Sequence, residues 1–112
     1  MTPNKVIEQL DSVKPNAYSE EVKLGWISTL DGMVKKFVIE EDAPPVPYAY
    51  PDDMNKELVI GFPFDDIYGL YCASMVDFYN KEYGEYNNSA AMFDYRFTDY
   101  KKAYIREHRV KG

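Results

Sequence analysis

The chain has 112 residues, of which 46% are hydrophobic and 29% charged, as expected for one small folded domain over residues 1–112 and not for a disordered chain. Its formal net charge of −6 argues against general nucleic-acid binding, which needs clustered Lys and Arg. The single cysteine, Cys72, excludes an internal disulfide. With no signal peptide over residues 1–10 and no apolar run of membrane-spanning length, we expect a cytoplasmic protein without membrane contact.

Helix signals define two segments in the first part of the chain. Thr2 is a suitable N-cap and Pro3 suits the first position of a short helix, which ends before Pro15. Ser19 is the expected N-cap of a longer helix over residues 19–40, whose apolar residues recur at helical spacing.

Two more helices are predicted in the second part of the chain, over residues 64–84 and 88–108. Gly84 is a typical C-terminal residue for the first of them, and the capping residues 87–89 precede the second. Because the connection is only a few residues long, we expect an antiparallel hairpin. The fold class predicted from these four segments is mostly α, a small helical bundle.

The segment at about 43–62 interrupts this helical pattern. Four prolines forbid a continuous helix and favour extended backbone. The alternation of Val46, Tyr48 and Tyr50 is compatible with a short edge strand, and residues 58–60 with a second one. The pattern therefore leaves two alternatives open, an extended proline-rich insert or a short β-hairpin.

Tyrosine is frequent: the chain contains 11, and eight of them lie within residues 64–108, the predicted helical hairpin. A domain this small cannot bury so many rings completely, and tyrosine is enriched at protein–protein interfaces. We predict that some rings contact another subunit. The alternative is that the rings belong to the core and only their hydroxyl groups reach its edge. The candidate interface residues, which include two cations near the C-terminus, are Tyr48, Tyr50, Tyr83, Tyr86, Tyr104, Arg106 and Arg109.

Charge is distributed unevenly along the chain. Residues 101–112 carry a net charge of +4, which leaves −10 on the other 100 residues. One interpretation is that the cations are placed there because they favour the C-terminal end of a helix. The alternative is that the basic end contacts an acidic surface on a neighbouring copy.

No motif in the chain predicts catalysis, a metal or a cofactor. His108 is the only histidine, which excludes a two-histidine metal site or a cysteine–histidine dyad of the usual kind within one chain, and we expect it to be solvated. Cys72 lies in an apolar helical stretch and is expected to be a buried, inert thiol. The adjacent acids at 40–41 and 52–53 are interpreted as solvated charge, and those at 65–66 as helix-capping residues. We therefore expect a protein that is not an enzyme.

Several short motifs, in one order along nearly the whole chain, resemble a family of small proteins. These proteins are encoded among the head and packaging genes of tailed phages and prophages of Gram-positive bacteria, and belong to the head–tail connector type. Phe64 and Phe78 depart from the pattern, which has Tyr at both positions. The motifs that carry the resemblance are Lys14-Pro15-Asn16, Ser19-Glu20-Glu21 with Lys23, Trp26-Ile27-Ser28-x-Leu30-Asp31, Glu57-Leu58-Val59, Pro63-Phe64-Asp65-Asp66-Ile67-Tyr68, Asp77-Phe78-Tyr79-Asn80-x-Glu82 and Tyr86-Asn87-Asn88-Ser89-x-x-x-Phe93.

The resemblance implies a structural adaptor that forms a ring beneath the portal and bridges it to the tail completion proteins. It implies a location in the virion neck, and in the cytoplasm of the bacterial host during assembly. It also implies a small helical bundle with an extended arm or loop. The acidity of the chain leaves an alternative open, a small phage-encoded regulatory module that binds a host protein.

Overall fold

A computed structural model describes residues 1–108, which form a bundle of four α-helices: α1 (Pro3–Val13), α2 (Glu20–Met33), α3 (Ile67–Tyr79) and α4 (Tyr83–Glu107). A π-helical turn, Val34–Val38, continues α2. There is no strand among residues 1–108. The prediction of a small, mostly α bundle with a C-terminal antiparallel helix pair is confirmed.

The first two helices begin at their predicted caps. The Thr2 hydroxyl accepts a hydrogen bond from the backbone N–H of Lys5, and the Ser19 hydroxyl accepts one from the N–H of Val22. Each bond satisfies a donor that has no partner within its own helix. Arg109 and the rest of residues 109–112 lie outside the described residues.

The turn between α3 and α4 lies earlier than predicted. α3 ends at Tyr79, and Lys81, with φ of 60°, reverses the chain so that α4 begins at Tyr83. Gly84 is therefore inside the first turn of α4 and does not end α3. Residues 87–89 also lie within α4, and the Ser89 hydroxyl donates to the carboxylate of Asp77 on α3 instead of capping a helix.

α3 starts at Ile67, three residues after the predicted position. The preceding residues form turns, in which the Phe64 N–H donates to the Gly61 carbonyl and the Ile67 N–H donates to the Phe64 carbonyl. The interpretation of Asp66 as a helix-capping residue is wrong, because its side chain makes no capping bond. Its carboxylate instead accepts two hydrogen bonds from the guanidinium of Arg96 on α4, at 2.9 and 3.1 Å.

The insert at 43–62 is irregular, so of the two alternatives the β-hairpin is wrong. Prolines provide no backbone donor, and the N–H groups of the insert bond to acceptors within its own turns or to the rest of the bundle instead of to a second strand. The Tyr48 N–H donates to the Ser28 hydroxyl at 2.9 Å, and the Val59 N–H donates to the Asp31 carboxylate at 3.2 Å. Pro45 lies against Gly32 of α2, where an added Cβ would approach within 3.7 Å of the ring.

The core lies between α1, α2, α3 and the second half of the insert. Of α4 only Tyr100 is fully enclosed, so this helix is attached to the bundle along one side. Helical spacing places Phe78 and Tyr79 on the apolar face of α3, but at its C-terminal end they remain 44% and 53% exposed. Among the described residues, no helix combines the length and apolar character that a membrane span requires. The enclosed hydrophobic side chains are Val6, Ile7, Leu10, Leu24, Trp26, Ile27, Leu30, Val34, Met54, Leu58, Ile60, Ile67, Tyr68, Cys72, Val76 and Tyr100.

Candidate interaction surfaces

A buried carboxylate joins the insert to the helices. Asp31 on α2 is 1% exposed and accepts hydrogen bonds from the hydroxyls of Tyr68 on α3 and Tyr48 in the insert, the latter at 2.6 Å. The Tyr68 hydroxyl in turn accepts from the N–H of Ile60 at 2.8 Å, and the Val59 N–H also donates to Asp31. The carboxylate thus has three donors, one from α3 and two from the insert, which compensate for the loss of its hydration.

The environment of Asp31 alters the acidity of both tyrosines. Burial raises the pKa of Tyr68 well above its usual value, and the negative charge of Asp31 and its hydrogen bond raise it further. Burial and the hydrogen bond to Asp31 likewise raise the pKa of Tyr48. Both side chains therefore stay protonated and remain donors to Asp31. Tyr48, a predicted interface residue, is bound into the fold by this contact.

A second buried carboxylate joins α3 to α4 and to the end of α1. Asp77 is 1% exposed, and the ammonium of Lys14 donates to both of its oxygens, at 2.7 and 3.0 Å. The Ser89 hydroxyl donates to the same carboxylate at 2.9 Å. These contacts fix the position of the α3–α4 turn. Another ion pair joins the buried ammonium of Lys23 to the carboxylate of Asp11 at 2.7 Å.

An exposed group of aromatic rings lies beside this turn, and we call it the aromatic cluster. The indole of Trp26 stacks on Tyr79 with 6.0 Å between ring centroids and 6° between ring planes. Tyr18 contacts both of these rings, and Phe78 contacts Tyr79 and Tyr86. Trp26 is buried, but Tyr79 and Phe78 are about half exposed. The members of the aromatic cluster are Tyr18, Trp26, Phe78, Tyr79 and Tyr86.

Most carboxylates at this end of the molecule are solvated. Glu82 and Glu85 are exposed on either side of the first turn of α4, next to Tyr86. Glu20 and Glu21 begin α2, two and three residues after Tyr18, and are also exposed. Lys81 is also exposed in this turn, so four exposed carboxylates and one exposed ammonium border the aromatic cluster. The net charge of this border is negative, which suits a cationic partner.

The opposite end of α4 carries the basic residues. The Arg96–Asp66 ion pair marks the level at which α3 begins, so the last turns of α4 continue beyond α3. We call residues 101–107 the C-terminal arm. Lys101, Lys102, Ile105 and Arg106 are exposed there, and within residues 1–108 none of these three cations is within ion-pair distance of a carboxylate.

The structure divides the predicted interface residues between different places. Tyr86 belongs to the aromatic cluster, and Tyr83, 58% exposed, lies near it at the start of α4. Tyr104 and Arg106 lie on the C-terminal arm, where Tyr104 stacks on His108 with 3.9 Å between ring centroids. Tyr50 belongs to neither group: it lies in the insert, and its hydroxyl donates to Glu20, beside the aromatic cluster, at 3.3 Å.

Sequence reasoning misses most of the aromatic cluster. Helical spacing assigns Tyr79 and Phe78 to a buried face, and it does not group Tyr18 and Trp26 with them. One signal in the sequence does indicate exposure. Phe78 and Tyr79 are adjacent, so on a helix their side chains lie about 100° apart, and at most one of them can point into a narrow core. The polar residues that follow, beginning with Asn80, indicate that this helix end is solvated.

Two apolar grooves flank α4. One, of about 510 Å³, separates the π-helical turn from α4 and is lined mainly by Met33, Phe37, Val38, Phe93 and Phe97. The other, of about 470 Å³, lies between α3 and α4, where Leu70, Met92 and Tyr95 form its apolar lining. Both are open at the surface, and Phe37 and Tyr95 are 68% and 71% exposed.

The residues considered for chemistry do not converge. Cys72 is fully buried, as predicted, and burial raises the pKa of its thiol to about 12. His108 is exposed, and its Nδ1 lies 2.9 Å from the carbonyl oxygen of Tyr104. Within residues 1–108, no three histidine, cysteine, aspartate or glutamate side chains are arranged to hold a metal ion.

Comparison with known proteins adds no relative. No protein-family model matches the chain, and neither a curated protein nor a solved structure matches it significantly.

Proposed function

We propose that this chain is a structural assembly protein of a tailed phage, a head–tail connector that bridges portal and tail. Two lines of argument support the proposal. The short sequence motifs resemble those of connector-type proteins, in order along nearly the whole chain. Independently, the fold carries two unlike exposed surfaces, the aromatic cluster and the C-terminal arm, at opposite ends of one helix.

The separation of these two surfaces is the observation that carries the proposal. α4 has 25 residues, so its ends are about 36 Å apart. A protein that bridges two different neighbours, or that assembles into a ring, needs two different patches held at a fixed distance. A single rigid helix between a half-exposed aromatic surface and an exposed basic surface meets this requirement.

The internal hydrogen bonds of the bundle also suit a protein that must hold two neighbours at a fixed spacing. Every fully buried side-chain nitrogen or oxygen among the described residues has a hydrogen-bond partner, and the two carboxylates Asp31 and Asp77 join elements that are far apart in the sequence. Cross-links of this kind give a well-defined spacing between the exposed surfaces. An adaptor needs that spacing in order to fit its neighbours.

Binding to portal particles tests the proposal. The purified chain is mixed with the portal assembly of a phage whose genome carries this gene, and the mixture is analysed by sedimentation velocity and mass photometry. We expect a complex in which many copies of the chain add to each portal. No association at high concentration would contradict the proposal, as would a gene position remote from portal, capsid and tail genes.

A second function, a regulatory module that binds a host protein, is favoured by the acidic residues. The first 100 residues carry a net charge of −10, a charge that suits a basic host factor. Affinity capture from host lysate separates the two functions. Stoichiometric retention of one host protein, together with no binding to portal, would favour the regulatory module.

A further inference from the structure

We propose that the C-terminal arm of one copy of this chain binds the aromatic cluster of the next copy, so that copies associate head to tail. This inference rests on the proposed function, because it names the contact through which a connector would assemble. Each of the two surfaces lacks what the other provides: one exposes cations without carboxylate partners among the described residues, and the other exposes rings bordered by carboxylates.

Charge determines which surface the arm suits. Lys101, Lys102 and Arg106 are exposed on the last turns of α4, and the first 100 residues carry the opposite net charge. The Lys101 ammonium lies 5.2 Å from the centroid of the Phe97 ring, and among the described residues neither of the other two cations makes such a contact. Among residues 1–108 no carboxylate lies within ion-pair distance of these three cations, so they are available to pair with another copy. A second copy provides the complementary charge at Glu82 and Glu85.

The exposed rings add a contact specific for cations. Guanidinium and ammonium groups bind over the faces of Trp, Tyr and Phe, and the gain increases as water is excluded. Tyr79 uses one face to stack on Trp26, and it is still 53% exposed. The arm also presents Ile105, which is 57% exposed and supplies apolar area beside its cations. Aromatic residues and arginine are the types enriched at the centres of protein interfaces.

The contact joins two different surfaces, so it is heterologous. The aromatic cluster meets α4 at Tyr86 and the arm begins at Lys101, about 22 Å further along the helix. One copy cannot bring its own arm to its own cluster, and two copies joined once still have one free arm and one free cluster. Repetition of such a contact gives a ring when the rotation between copies closes, and a filament when it does not.

Two variants, each defective in one surface, test the inference. The arm variant carries Lys101→Glu, Lys102→Glu and Arg106→Glu. The cluster variant carries Tyr79→Lys and Glu82→Lys, and a second cluster variant, Glu82→Lys with Glu85→Lys, changes only exposed charges and leaves the packing of the rings intact. The control carries Lys5→Glu, Lys36→Glu and Lys56→Glu, which alter the net charge as much as the arm variant does but lie outside both surfaces.

Sedimentation velocity up to about 1 mM protein measures self-association. We expect wild type and control to associate, each single variant to associate at least about tenfold more weakly, and an equimolar mixture of arm and cluster variants to form dimers and nothing larger. The dimer is the decisive result, since each variant retains the surface that the other lacks. A monomeric wild type, a mixture that stays monomeric, or a variant that dimerises by itself as well as wild type would each overturn the inference.

Portal binding distinguishes this inference from the proposed function. A chain that binds portal but stays monomeric when free and fails the mixing test overturns only the head-to-tail contact. A chain that associates through arm and cluster but binds no portal overturns only the assignment as a connector.

Discussion

Polar side chains are accommodated in two opposite ways in this small protein, around Asp31 and on the C-terminal arm. Around Asp31, which is buried on α2, every donor and acceptor is paired, and the partners come from α3 and the insert. On the arm, cations extend into solvent along a helix that contacts the bundle on one side only. Buried polar groups without partners are costly, so the first arrangement supports the fold.

The comparison separates residues that maintain the fold from residues available for binding. Substitution around Asp31 should reduce stability without a specific effect on partners. Substitution on the arm should have the opposite effect, because an exposed lysine or arginine contributes little to the free energy of unfolding. Tyr48 lies between the two cases, being bound to Asp31 yet only half buried.

Asp31→Ala should have the largest effect. The substitution leaves two tyrosine hydroxyls and the Val59 N–H without their acceptor, so we expect the free energy of unfolding to fall by about 3 kcal/mol or more. Urea unfolding followed by the fluorescence of Trp26, the single tryptophan, measures this change. Asp52→Ala, at an exposed acid of the insert, is the control and should change stability by less than about 0.5 kcal/mol. A similar, small effect of both substitutions would show that the Asp31 hydrogen bonds contribute little.

Tyr68→Phe should cost less, about 2 kcal/mol, because Asp31 keeps two of its donors while the Ile60 N–H loses its acceptor. The same variant has a characteristic pH dependence. Since the pKa of Tyr68 is raised in the folded state, the unfolded state loses its phenolic proton first, and wild-type stability should fall as the pH rises above about 10.

Unfolding at about pH 8 and about pH 11 therefore gives the second measurement on Tyr68→Phe. We expect its stability to fall less steeply between these two pH values than that of the wild type, since one tyrosine with a raised pKa has been removed. An equally steep fall in both proteins would mean that the pKa of Tyr68 does not govern the alkaline loss of stability.

Tyr48→Phe should have a smaller and more local effect. Its hydroxyl is near the surface, where water can replace it at Asp31, so we expect a loss of about 1 kcal/mol. The insert should nevertheless open more often than in the wild type. In the variant, the backbone N–H groups of residues 48 and 59 should therefore exchange with solvent faster than they do in the wild type, whereas those of α2 should not. Tyr50→Phe, which removes an exposed hydroxyl bonded only to Glu20, is the matched control. Equal exchange in both variants would argue against a role of the Asp31 contact in holding the insert.

Local signals predict the helices well. Thr2 and Ser19 are caps in the sequence and in the structure, because capping depends on residues only three positions apart. The predicted α3–α4 turn lies too late in the chain because Gly84 and residues 87–89 are good terminators in isolation. A contact between elements, the bond from Ser89 to Asp77, outweighs that preference.

The candidate surfaces are only partly accessible to sequence reasoning. The basic end is evident from the sequence, since charge can be counted along the chain. The aromatic cluster cannot be found in this way, because Tyr18 and Trp26 contact Tyr79 across more than 50 residues of chain. The roles of Asp31 and Asp77 are hidden for the same reason: nothing near them in the sequence distinguishes a buried, fully paired carboxylate from a solvated one.

The arm variant should have the smallest effect on stability. Three lysines or arginines become glutamates at exposed positions without carboxylate partners among the described residues, so we expect the free energy of unfolding to change by less than about 1 kcal/mol. The remaining change comes from the helix dipole, which disfavours negative charge at the end of α4. The same urea experiment, with Trp26 as the probe, allows direct comparison with Asp31→Ala. A loss close to that of Asp31→Ala would place the arm among the parts that maintain the fold, and the contrast between the two regions would no longer hold.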